Sequence, residues 1–117
     1  MPHITLEFSS NIIEKDNTKA LFNRIHLLLE KSLPTTLSSC KSRVIDHKVY
    51  TIGDGSSDNA FVHMTVSILS GREKQQKSSI GQSIMAFLTE HFSQSNQMLT
   101  LQISLEIRDL DDAYFKR

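Results

Sequence analysis

The chain has 117 residues, with 13 Lys or Arg against 13 Asp or Glu and a formal net charge of zero. That length suits a single domain, 1–117, and the balance leaves no electrostatic footprint for nucleic acid or an anionic membrane. No apolar run nears the roughly 20 residues that cross a bilayer, Glu7 interrupts any apolar leader, and the lone Cys40 excludes an intrachain disulfide, so a cytoplasmic protein is expected.

From His3 to Phe8, "HITLEF" alternates polar and apolar residues, the period of a half-buried strand. Pro2 precedes it. A proline lacks the backbone N–H and suits a strand edge. It also comes directly after Met1, and methionine before a small residue is usually trimmed. Trimming would leave a secondary amine, a potential base. Over residues 17–31 the period changes to that of a helix, with Leu21, Ile25, Leu28 and Leu29 on one stripe. Asn17 is placed to cap it, and Pro34 lies just beyond its end. "SRVIDHKVYTI" reads as a second strand carrying Val44, Ile45, Val49 and Ile52.

"GDGSSDN" is the one glycine-rich turn cluster and joins two halves. "AFVHMTVSIL" reads as a third strand. Residues 72–92 have helical spacing, with Ile80, Ile84, Phe87, Leu88 and His91 on one face. "LTLQISLEIRDL" alternates again as a fourth strand. The order is strand–helix–strand, written twice, as internal repeats of about 2–52 and 60–110 with a period of about 58 residues. Strands separated by a helix pair in parallel with a right-handed crossover. The expected fold is therefore α+β: a four-stranded mixed sheet with two helices on one face. The other face is expected to keep apolar side chains, and self-association is the economical cover for it.

The segments "MPH", "SRV", "AFVHMT", "GR" and "SLEI" occur in this order. Together they resemble the 5-carboxymethyl-2-hydroxymuconate isomerase family of the tautomerase superfamily, over nearly the whole chain. The resemblance implies a homotrimer with its helices outside and Pro2 as catalytic base. It also implies a proton shift in a small, unsaturated carboxylate, with neither metal nor organic cofactor. Departures from the family pattern, among them a shorter tail ending in "YFKR", touch substrate recognition. Lys41 stands where members of that family carry arginine, and a point charge replaces a planar fork of donors. The stretch "IDHKVYTI" also lacks the tryptophans common there.

Geometry orders the candidate site residues. If the halves pack about a pseudo-two-fold axis, the first and third strands are antiparallel neighbours. A strand of about ten residues spans roughly 33 Å. Pro2, at the start of the first strand, is therefore out of reach of that strand's far end and close to Arg72, just past the end of the third. The first half has "SSN" where the second has "SGR", so one composite site per chain is expected. Arg72, Arg43 and Lys41 are the cations that would hold carboxylates and disfavour a protonated Pro2 amine. Arg72 reads as part of a helix's first turn, where a cation is unfavourable and calls for another reason to be there. Phe115, with Tyr114, is placed to wall the site, as an aromatic near the chain end does in related tautomerases. His63, inside an apolar strand, reads as structural, Cys40 as a small buried residue, and Glu7 carries no catalytic expectation. Two other readings stay open: a different proline-dependent reaction, either hydration-type dehalogenation or decarboxylation, and a non-enzymatic trimeric binding protein.

Overall fold

A computed structural model describes residues 1–117. Its strands are β1 (His3–Ser9), β2 (Lys41–His47), β3 (Asn59–Ile68) and β4 (Thr100–Asp109). Its helices are α1 (Lys19–Ser32), α2 (Lys74–His91) and the short α3 (Ser93–Met98), with a 3-10 turn at Leu37–Ser39. One sheet takes the order β2-β1-β3-β4. Each half contributes a parallel pair, β1 with β2 and β3 with β4. The halves meet antiparallel, from His3↔Ser67 to Phe8↔Val62. This is the mixed four-stranded sheet that the duplicated pattern predicts.

The alternation decides which face is covered. Ile4, Leu6 and Phe8 of β1 and Ala60, Val62, Met64, Val66 and Ile68 of β3 are buried. They pack in one core with Leu21, Ile25 and Leu29 of α1 and Ile80, Ile84 and Leu88 of α2. Removing one such side chain from water contributes about 1.5–3 kcal/mol. Both helices therefore lie on the same face. Helix α1 stops where Leu33 turns extended, as a residue before proline tends to, while its N–H still bonds to Leu29 O at 2.9 Å. No helix is long and apolar enough to cross a membrane.

Four expectations need correction. The uncovered face is mostly polar: it presents His3, Thr5 and Glu7 of β1, Arg43 and His47 of β2, His63 and Thr65 of β3, and Ser104 and Glu106 of β4, with Ile45 and Phe61 as its apolar members. The apolar residues of β4, Leu101, Ile103, Leu105 and Ile107, pair with Ala60, Val62, Met64 and Val66 and so share the helix face. They are only half-buried because β4 is an edge strand. Strand β2 ends at His47, and residues 48–52 are not strand, leaving Val49 96% exposed. The cause is the partner, since β1 ends at Ser9, opposite His47. Helix α1 begins after Thr18, so Asn17 does not cap it. Helix α2 begins at Lys74 after Glu73, so Arg72 lies outside its first turn, and the helix-start argument for a function of Arg72 lapses.

Three histidines sit where burial depresses their pKa below the ordinary 6.5: His3, His26 and His91. For His91, burial outweighs the opposing Glu14 charge and the Asn17 backbone, and its Nε2 is buried without a partner. As pH falls below 6.5, the unfolded chain takes up protons that the folded chain resists, so stability is lost toward acid. Urea unfolding at pH 7 and pH 5 is expected to show that loss. His91→Gln is expected to make it smaller, and an unchanged pH slope in this variant would count against His91 as a contributor.

Candidate active site

The site is assembled at one end of the sheet by the strand register. Strand β1 starts there, β2 starts beside it, and β3 and β4 end there. Pro2 is buried, and its carbonyl accepts the Lys41 N–H at 3.1 Å, which ties the starts of β1 and β2 together. Past the end of β3, Gly71 has φ +103, a conformation that L side chains rarely adopt, and a Cβ there would meet no atom within 4 Å. Glycine is required by the backbone and not by crowding. The turn it makes delivers Arg72 to this end. After β4 the chain turns back across the sheet end, with Leu110 N–H bonded to Ile68 O at 2.7 Å. That crossing carries Tyr114 to His3.

Cations gather here, and none of them pairs with a carboxylate. Arg72 is half-buried, and its Nε is buried with no hydrogen-bond partner. Lys41 Nζ donates only to Ser39 O, at 3.1 Å. Arg43 Nη2 donates to His3 Nδ1 at 2.8 Å. The ion pairs of the chain involve other residues, Arg24–Glu90, His47–Glu7, Lys48–Asp46 and Arg108–Glu106, with Lys77–Asp109 at the end of β4.

These charges act on the amino terminus. Burial foremost, then Lys116, Lys41 and Arg72, push the Met1 amine below its ordinary 8.0, with Cys40 opposing. Burial also leads the depression of His3, reinforced by Arg43, Lys41 and the amino terminus. Burial pushes the Cys40 thiol up, which keeps it protonated. A removed Met1 would leave the Pro2 amine as the chain's terminus, one residue deeper in the same surroundings.

The structure thus brings Pro2, Lys41 and Arg72 to one end of the sheet, with Arg43 bonded to His3 beside them. It leaves Phe115 90% exposed, so in the single chain Phe115 walls nothing, and the docked aromatic is Tyr114. His63 lies on the polar face, bonded to Ser104 Oγ at 2.7 Å and Thr65 Oγ1 at 3.3 Å, away from this end. Glu7 bonds His47 Nε2 at 2.9 Å. Two residues were not singled out by sequence reasoning, His3 and Lys116. His3 carried a signal, since it adjoins Pro2 and shares the strand face of Arg43. Lys116 carried none, because the path of the segment after β4 has no periodicity to read.

Fold and site together define a small β-α-β repeat protein with a cationic, amine-bearing end. The sequence pattern of the family described as 5-carboxymethyl-2-hydroxymuconate isomerase matches residues 2–117. The 5-carboxymethyl-2-hydroxymuconate Delta-isomerase of Escherichia coli is 31% identical over 110 residues, covering 94% of this chain and 87% of that protein. The crystal structure of a 5-carboxymethyl-2-hydroxymuconate isomerase from Deinococcus radiodurans R1 superposes with a TM-score of 0.87 at 26% identity, covering 99% of this chain and 88% of that one. A fused 4-OT, described as a symmetric trimer, shares the fold with a TM-score of 0.72 at 13% identity, covering 98% of this chain and 90% of that one. The chain belongs to the 5-carboxymethyl-2-hydroxymuconate isomerase family, and is a tautomerase-type isomerase.

The amine should report the cations directly. Titrated by nuclear magnetic resonance, the terminal amine is expected below the ordinary α-amino range of about 7.7–8.0. Lys116→Gln and Arg72→Ala should each raise it, because losing a neighbouring cation makes protonation easier. A pKa unmoved by both substitutions would detach these charges from the amine.

Proposed function

We propose that the chain moves a proton within an unsaturated 2-hydroxy (enol) or 2-oxo di- or tricarboxylate similar to 5-carboxymethyl-2-hydroxymuconate, with Pro2 as general base once Met1 is removed. The observation that carries this reading is the set of cations at the Pro2 end of the sheet, Arg72, Lys41, Lys116 and Arg43, none of them paired with a carboxylate. In a chain of zero net charge, such a set calls for an anionic ligand.

The chemistry rests on those groups. Burial and neighbouring cations favour the neutral amine near pH 7. The Pro2 nitrogen takes a proton from the enol oxygen or from carbon. The electron pair left behind spreads over the conjugated chain as a dienolate. The Pro2 aminium then returns the same proton to another carbon, so the enzyme ends as it began. Acid–base catalysis of this kind contributes about 10²–10⁴-fold. Arg72, with its unclaimed donor, binds a substrate carboxylate and stabilises charge on the dienolate. Lys41 and Lys116 supply point charges for a further carboxylate, which suits a substrate with more than one.

The test is a blocked amine. Protein that retains Met1, or carries an acetylated Pro2, should lose enol–keto exchange of 2-hydroxymuconate-like acids while its circular dichroism stays unchanged. Intact mass establishes the state of the terminus. Full turnover by a proven blocked chain would refute Pro2 as base. Pro2→Ala is the weaker comparison, because it keeps a primary amine.

The working form is proposed to be a homotrimer in the cytoplasm. The trimer is supported by the same-fold protein described as a symmetric trimer, and the compartment by the single cysteine. With Ile45 and Phe61 the only apolar side chains among those on the open sheet face, apolar burial there argues little for the trimer. The edge strands β2 and β4 argue for it instead, since each leaves a row of backbone groups unpaired. Light scattering at micromolar concentration should give about three times 13.3 kDa. A stable monomer would sink this arrangement.

A further inference from the structure

The tautomeric state of His3 is fixed by its neighbours. Arg43 Nη2 lies 2.8 Å from His3 Nδ1. A guanidinium has donors only, so Nδ1 must accept and cannot carry a proton. The ring of His3 is then neutral with its proton on Nε2. That nitrogen lies 2.9 Å from the Tyr114 hydroxyl and donates to it. The two rings stand edge to face, 6.0 Å between centroids at 75°, which holds the phenol in place. His3 is the only protein partner of that hydroxyl, and it is a donor. Tyr114 therefore keeps a proton of its own for which the chain provides no acceptor. Accepting from His3 also polarises the phenol and strengthens it as a donor.

The surroundings say what kind of acceptor is missing. Tyr114 is half-buried on the segment that crosses the Pro2 end of the sheet. Within the same end stand Arg72, Lys41 and Lys116, and no carboxylate pairs with any of them. An oxygen anion held by those cations would offer the acceptor.

We propose that Tyr114 is a substrate-binding hydrogen-bond donor, and that Arg43 and His3 are positioning residues that aim its phenolic proton at a carboxylate of the substrate. The proposal rests on the reading of the substrate as a multi-carboxylate acid. Arg43 thereby acts through His3 and Tyr114 and not by touching substrate itself. Its exposed position fits that role, with an Nη2 donor given to His3.

Two measurements test this, one with substrate and one without. Tyr114→Phe keeps the ring and removes only the donor. It should lower kcat/KM for 2-hydroxymuconate by about 10-fold or more, the usual weight of a hydrogen bond to a charged group. The loss should fall mainly on KM, because the carboxylate is bound alike in ground and transition states. The second measurement is the nitrogen-15 spectrum of His3 in the wild-type protein. It should show a neutral ring protonated at Nε2. The Nε2–H resonance should shift in Tyr114→Phe, and Arg43→Gln should release the ring into a mixture of tautomers. Unchanged kcat/KM in Tyr114→Phe, or a His3 proton on Nδ1, would overturn the proposal. Wild-type protein inactive on every enol acid would instead overturn the reading of the reaction, and the His3 spectra would still decide whether the relay exists.

Discussion

Where Thr5 lies opposite Thr65, β1 and β3 run antiparallel, and that seam sets the position of almost everything else in the molecule. Each half alone is two parallel strands and one long helix, too little to close a core. The seam joins them so that Leu6 lies opposite Met64 and Ile4 opposite Val66, all fully buried. It also turns the second half head to tail against the first. The start of β1 then lies beside the end of β3, and a residue just past β3 can act on the first nitrogen of the chain. The cationic end is a consequence of that polarity. A parallel seam would put Arg72 a strand's length away.

Much of this was legible because it depends on period and parity. A change from two to 3.6 and back marks a strand–helix–strand unit, and finding it twice fixes the element order. Once the halves are taken as related by a two-fold, β1 and β3 must be antiparallel neighbours, and Pro2's end must meet Arg72. Features set by the partner and not by the segment itself were not legible. "KVYTI" has the composition of a strand, yet β1 has already ended beside it. "SQSNQM" forms α3 with only Ser95 buried, so it has no stripe to read. The polarity of the outer face was available in principle, since Leu101 through Ile107 alternate with Gln102, Ser104 and Glu106, but their facing depends on register with β3.

The site divides along the same line. Pro2, Arg72 and Lys41 could be named as candidates from chain position, duplication and charge. Lys116 enters only through the path of the segment after β4, which local periodicity does not encode, and the same path decides that Tyr114 meets His3. Phe115 shows the same limit from the other side, as the neighbouring Tyr114 docks and Phe115 faces solvent. His3, a polar residue next to the candidate base and on the strand face of Arg43, is the kind of signal that composition counts pass over.

The duplication also leaves the molecule with a second pole, at the far end of the sheet. There the counterpart of Arg72 is Asn11, just past the end of β1. Its Nδ2 donates to Asn59 O at 2.9 Å and to Ser57 O at 3.4 Å, and so fastens the loop that leads into β3. The counterpart of the amino terminus lies inside that loop, where every nitrogen is an amide and none can serve as a base. One repeated unit supplies both poles. Only the pole that holds a chain end has an amine to offer, and the other, deprived of one, serves as a fastening for the linker that the duplication makes necessary.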